Sequence, residues 1–134
     1  VTTFLGMVRL PATASSVPVA RAFARVVLRG GGGAEDAVDS ALYVVTELVT
    51  NAIVHGSRPG ERVTVRLAIL QDAARLEVLD KGRGVGPRLR EPTDDGEGGR
   101  GLVLVDILAA KWGVKRVGWG GRSVWADLAM RSAA

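Results

Sequence analysis

A chain of 134 residues, 47% hydrophobic and 24% charged, has the size and balance of one globular domain, residues 1–134, with material for one core and not for two. It has no cysteine, which excludes disulfides, thiolate metal sites and cysteine nucleophiles. The formal charge of +4 arises from 18 basic and 14 acidic residues scattered along the chain, without the basic stripe of a nucleic-acid-binding face. No signal-peptide pattern and no apolar run near the roughly 20 residues of a membrane span are expected, so the expectation is a soluble, cytoplasmic protein with no direct contact to nucleic acid or membrane.

Phe4 to Leu10 reads as a first strand, ended by Pro11, which lacks the donor that a continuing ladder needs. Ser15 or Ser16 offers an N-cap and Pro18 suits a first helical turn. Val19, Phe23, Val26 and Val27 then supply a buried stripe as far as Arg29, and Gly30 to Gly33 end the helix. Arg21, Arg25 and Arg29 repeat every four residues on its other side. They form either a solvated face or a docking ridge for an acidic partner.

The run from Asp36 to Gly56 is the organising element. Val38, Ala41, Leu42, Val45, Leu48, Val49, Ala52 and Ile53 recur at helical spacing and predict a broad core-facing stripe. Glu47 falls nearly opposite the centre of that stripe, with Asn51 about 40° further round. Tyr43, Val44 and Val54 share this back face, where polar residues are usual, which predicts that something covers it.

Ser57 to Gly60 is a turn. Val63, Val65, Leu67 and Ile69 alternate with polar or small residues in a half-buried strand, Gln71 to Ala74 turn the chain, and Leu76 and Val78 continue in a second strand. Asp80 keeps the parity of Leu76 and Val78, so its carboxylate points to the apolar side and needs a donor. From Lys81 the glycine-rich stretch KGRGVGPRLREPTDDGEGGRG has no apolar period and is long for a connector. Leu102 to Lys111 resumes as an almost wholly apolar helix. Trp112 to Trp119 and Arg122 to Met130 form a hairpin with Gly120-Gly121 as a two-residue turn. The order predicts an α/β (α+β) two-layer sandwich, a mixed, largely antiparallel sheet with three main helices on one face.

Gly98, Gly99 and Gly101 precede Leu102 at a helix start, where free backbone N–H groups suit phosphate, and Arg100 adds a charged donor. Neither a GxxxxGK[ST] loop nor a proper GxGxxG after a strand occurs. The parts are Glu47-x-x-x-Asn51, then Asp80-x-Gly82-x-Gly84, then Gly99-x-Gly101-Leu102. In this order, on helix, strand end and helix start, they resemble the GHKL superfamily, the Bergerat ATP-binding fold of gyrase, histidine kinases and mismatch-repair ATPases. TELVTNAIVHG, LDKGRGVG and GGRGLVLVDILAAKWGV are most similar to the stand-alone anti-sigma-factor serine/threonine kinases of the RsbW and SpoIIAB type, and the opening LPATASSVPVARAFARVVL to that of their actinobacterial relatives.

The resemblance implies roles residue by residue. Asp80 would accept from the adenine amino group of ATP or ADP, and Gly82, Gly84 and Gly86 would allow the backbone close to the nucleotide. Asn51 would hold Mg²⁺, while Gly98, Gly99, Arg100, Gly101 and Leu102 cradle phosphates beneath a lid at about residues 86–98. Glu47 would be the catalytic base toward a Ser or Thr hydroxyl. Implied partners are a sigma factor and an anti-anti-sigma protein of the STAS type, with the kinase as a homodimer. Other readings are an ATP-binding module that sequesters a partner without phosphotransfer, or an orphan histidine-kinase-like catalytic domain. His55, one turn beyond Asn51, reads as structural, solvent-facing or at the pocket edge. The acidic lid residues Glu91, Asp94, Asp95 and Glu97 depart from the pattern, since they oppose a triphosphate unless paired with Arg83, Arg88 and Arg90.

Overall fold

Alternation and helical spacing resolve into eight elements in the computed structural model, which describes residues 2–83 and 100–133. They are β1 (Thr2–Pro11), α1 (Ser16–Gly30), α2 (Glu35–Gly56), β2 (Arg62–Leu70), β3 (Ala73–Asp80), α3 (Arg100–Leu108), β4 (Lys111–Arg116) and β5 (Arg122–Ala129). The five strands form one sheet in the order β1-β2-β3-β5-β4. Every pairing among the described residues is antiparallel, so the sheet is α+β in character and not mixed. All three helices pack against it.

The core lies between these two layers. Val63, Val65 and Leu67 of β2, Leu76 and Val78 of β3 and Val124, Ala126 and Leu128 of β5 are all buried, as the period of two in a one-sided sheet requires. From above, α2 inserts its stripe: Val38, Ala41, Leu42, Val45, Leu48, Val49 and Ala52 are buried and Ile53 is half-buried. With 22 residues and a mean hydropathy of 1.4, α2 is long and apolar enough by composition to cross a membrane, contrary to the expectation from the sequence. Its apolar side is instead the centre of the core.

The face of α1 differs from the expected one. Ala20, Ala24 and Leu28 are buried, Phe23 and Val27 are partly buried, and Val19 and Val26 are exposed. Alanines every fourth residue let α1 approach its neighbours closely, and that contact fixes which side turns inward. Ser15 stands at the N-cap position but makes no capping bond; Ser16 Oγ instead donates to the Pro11 carbonyl at 2.7 Å. The basic ridge is largely engaged within the chain. Arg21 Nη1 donates to the Leu42 carbonyl at 3.0 Å and to Thr46 Oγ1, tying α1 to α2, and Arg29 makes a two-pronged pair with Glu35 at 2.9 Å.

The β4–β5 connection is longer than two residues. Gly120 N–H donates to the Val117 carbonyl at 3.0 Å and Val117 N–H to the Gly121 carbonyl at 3.2 Å, with Gly120 at φ 92°. This is a three-residue loop in which a glycine takes the left-handed position. The last helix stops at Leu108 and Lys111 already belongs to β4.

Candidate functional site

The C-terminal half of α2, the end of β3 and the start of β5 converge at one end of the sheet. Leu48, Val49 and Ala52 fix α2 by their burial, which leaves Glu47 and Asn51 half-buried on its other side and His55 exposed in the last turn. The back face is covered only in part: Val44 is buried, whereas Tyr43 and Val54 are exposed.

Asp80 closes β3 with its carboxylate turned inward, as its parity predicts. It is 1% exposed, so the charge needs partners within the protein. Antiparallel pairing sets Asp80 directly opposite Arg122, the first residue of β5, which is equally buried. Arg122 Nη2 donates to Asp80 Oδ2 at 2.8 Å, and Nε lies 3.2 and 3.1 Å from Oδ1 and Oδ2. The Gly82 N–H donates to Oδ1 at 2.6 Å. The donor that Asp80 needs is therefore supplied from within the chain, by a residue the sequence reading did not select. A signal was present: Arg122 shares the inward parity of Val124, Ala126 and Leu128, as Asp80 shares that of Leu76 and Val78.

Gly56, the last residue of α2, roofs this pair. A Cβ there would stand 2.1 Å from Asp80 Oδ2 and 2.5 Å from Arg122 Nη2, distances no real side chain tolerates. The Gly56 carbonyl accepts the Arg83 N–H at 3.1 Å, and Gly82 between them has φ 73°. The segment leaving β3 is thus folded back onto the end of α2. Arg83 pairs with Glu61 at 2.9 Å, and its guanidinium, with the Arg58 N–H, holds the Glu61 carboxyl below its ordinary range.

At the other side of the site α3 begins at Arg100, and Leu102 is buried. Gly84, Gly86, Gly98 and Gly99, the acidic lid with Glu91, Asp94, Asp95 and Glu97, Arg88 and Arg90, and the side chain of Arg100 lie outside the described residues, while Gly101 belongs to the first turn of α3. No group of three or more His, Asp or Glu among the described residues could cage a metal. The donor set fits Mg²⁺ held as it is in nucleotide sites, by one protein oxygen such as that of Asn51 with phosphate oxygens and water.

The model of the histidine kinase-like ATPase domain family matches residues 10–127. The serine-protein kinase RsbW of Staphylococcus aureus is 30% identical over 114 residues, covering 75% of this chain and 72% of that protein. Among solved structures, the RsbU and RsbW domains of Rv1364c from Mycobacterium tuberculosis share the fold at a TM-score of 0.67 and 20% identity, over 95% of this chain and 34% of that one. The blue-light-activated histidine kinase EL346 of Erythrobacter litoralis gives a TM-score of 0.53 at 28% identity, over 71% and 31%. The chain therefore spans about a third of each of these solved chains.

Proposed function

The chain belongs to the histidine kinase-like ATPase domain family, within which it is RsbW-like, and on that premise we propose that it is an ATP-dependent serine/threonine protein kinase acting as an anti-sigma factor. Its protein substrate would be an anti-anti-sigma partner of the STAS type. The observation that carries this reading is the back face of α2, where a carboxylate and a carboxamide sit half-buried one turn apart at residues 47 and 51.

Bound ATP with Mg²⁺ would supply the transferable phosphoryl group. Asn51 would offer its oxygen to the metal, and the N-terminal N–H groups of α3 would face the phosphates. Glu47 would accept the proton of the substrate Ser or Thr hydroxyl as that oxygen gains its bond to phosphorus and ADP leaves, with the proton ending on the carboxylate. Asp80 would meet the base. Residues 1–134 would act as one domain, dimeric and cytoplasmic, on the pattern of the relatives it resembles.

The test measures one variant in two assays. Glu47→Ala should still bind ATP and still sequester its partner, while transfer of labelled phosphate to a partner Ser or Thr falls by about 10²- to 10⁴-fold. Acid-stable phosphate on the partner distinguishes this from histidine phosphorylation. If wild type transfers no phosphate to any co-purifying partner while sequestration persists, the protein is a binding module and not a kinase.

A further inference from the structure

We propose that Arg122 determines nucleotide affinity and base selectivity: it latches the base-recognition carboxylate of Asp80, and a purine must displace part of that latch to bind. The inference rests on the reading above that Asp80 faces the base.

A carboxylate has two oxygens and about four acceptor positions. Three N–H groups, Gly82 N, Arg122 Nε and Arg122 Nη2, already make four contacts of 2.6–3.2 Å to the Asp80 oxygens, so an adenine amino group would arrive as a fourth donor seeking a fifth contact. The two side chains are 2% and 0% exposed, and Gly56 lies directly against both. The pair therefore has little freedom to spread and admit another donor without losing a bond of its own. A guanidinium remains charged at every working pH and grips a carboxylate through a planar fork, so the competitor is permanent and strong.

The same residue blurs base identity. A lone carboxylate accepts from the adenine amino group and repels the guanine carbonyl at the same position. With an arginine beside it, the site offers both an acceptor and donors. Adenine can use its amino group on the acceptor, and guanine its N1–H on the acceptor and its O6 on the guanidinium, so either edge is served. Removing the guanidinium should strengthen adenine binding, because Asp80 is freed, and weaken guanine binding in relative terms, because O6 loses its donor.

Calorimetry on the full chain with MgADP and MgGDP tests this in wild type, Arg122→Thr and Arg122→Lys. Arg122→Thr should bind ADP about tenfold more tightly, the scale of one charge-assisted hydrogen bond no longer competed for. Its ADP-to-GDP affinity ratio should rise, although its melting temperature without nucleotide falls because Asp80 has lost its partner. Arg122→Lys, with a point charge in place of the fork, should be intermediate. A purely structural arginine would leave the base ratio unmoved. Unchanged or weaker ADP binding by Arg122→Thr, in a protein whose wild type binds ADP, overturns the latch and leaves the nucleotide site standing. If Arg122→Thr does not fold, the same outcome in Arg122→Lys overturns it. Absence of ADP binding in wild type and both variants removes the nucleotide site itself, and the latch with it.

Discussion

Gly56→Ala separates the helix-level view of this position from the tertiary one, because the two predict opposite signs. Gly56 is the last residue of α2 and is not among the glycines at positive φ. On local grounds alanine should therefore stabilise by about 0.4–1 kcal/mol, by reducing the freedom of the unfolded chain. The tertiary contacts say otherwise. The new Cβ would lie 2.1 Å from Asp80 Oδ2, 2.3 Å from its Cγ and 2.5 Å from Arg122 Nη2, so the carboxylate must retreat by more than an ångström to reach ordinary contact. Repacking alone costs about 1–3 kcal/mol, and separating a buried ion pair about 3–5 kcal/mol. If the Cβ is accommodated by separating the pair, the cost less the local gain is a loss of about 2–4 kcal/mol, a large share of the roughly 5–15 kcal/mol that such a domain has in total. For a chain of this length it corresponds to a drop in melting temperature of about 10 °C. Thermal and urea unfolding followed by circular dichroism would measure it. Gly30→Ala is the control: it ends α1, is not at positive φ and has no heavy atom within 4 Å of the new Cβ, so it should change stability by no more than about 1 kcal/mol. Equal stability of Gly56→Ala and wild type would refute the reasoning, since the ion pair could not then be packed against Gly56 as described.

Asn51→Ala should abolish the Mg²⁺-dependent thermal stabilisation by ADP while leaving the unliganded melting temperature within a few degrees; full retention of that stabilisation would remove Asn51 from the metal. Arg21→Ala should destabilise by about 1–2 kcal/mol, because a charged donor to the Leu42 carbonyl and Thr46 is lost, whereas Arg25→Ala, from the same ridge, should stay within about 0.5 kcal/mol. Equal effects in unfolding experiments would return the ridge to a uniformly solvated face. Asp127→Asn should alter the acid limb of stability. The hydrogen bond from Arg75, at 2.7 Å, holds the Asp127 carboxyl below its ordinary range. A carboxyl with a depressed folded value contributes stability above its unfolded value, about 3.9, and loses it as pH falls through the lower folded one. The difference between wild type and variant should thus be constant near neutrality, begin to shrink as pH falls below about 4, and vanish only once pH is below the lower folded value. Because Arg75 is 38% exposed, screening limits it to the order of 1 kcal/mol. A difference that does not decline at all on the acid side would show that packing, not charge, was lost.

Much of this architecture is written locally. The stripe of α2 from Val38 to Ala52 is buried as its spacing foretold, and the alternation of β2 and β3 places Val63, Val65, Leu76 and Val78 inward. Periodicity suffices there because a long apolar stripe or a strict two-residue alternation has one burial-consistent orientation. In α1 the bulky Val19 and Val26 outweigh Ala20 and Ala24 on any hydrophobicity count, yet the alanines face inward. Close helix packing selects small residues, and that preference is a property of the neighbour. The hairpin turn likewise depended on which glycine took the left-handed position, and Gly120 does.

The sequence by itself determined that Asp80 turns inward and needs a donor, because a strand's parity is a local property. Only the tertiary structure decided which donor. Arg122 lies 42 residues further along the chain, and it meets Asp80 because β3 and β5 pair antiparallel in one particular register, under a helix that ends in glycine. That register follows from the simultaneous burial of two apolar strand faces beneath α2. A one-residue slip would turn Val124, Ala126 and Leu128 to solvent together with Arg122.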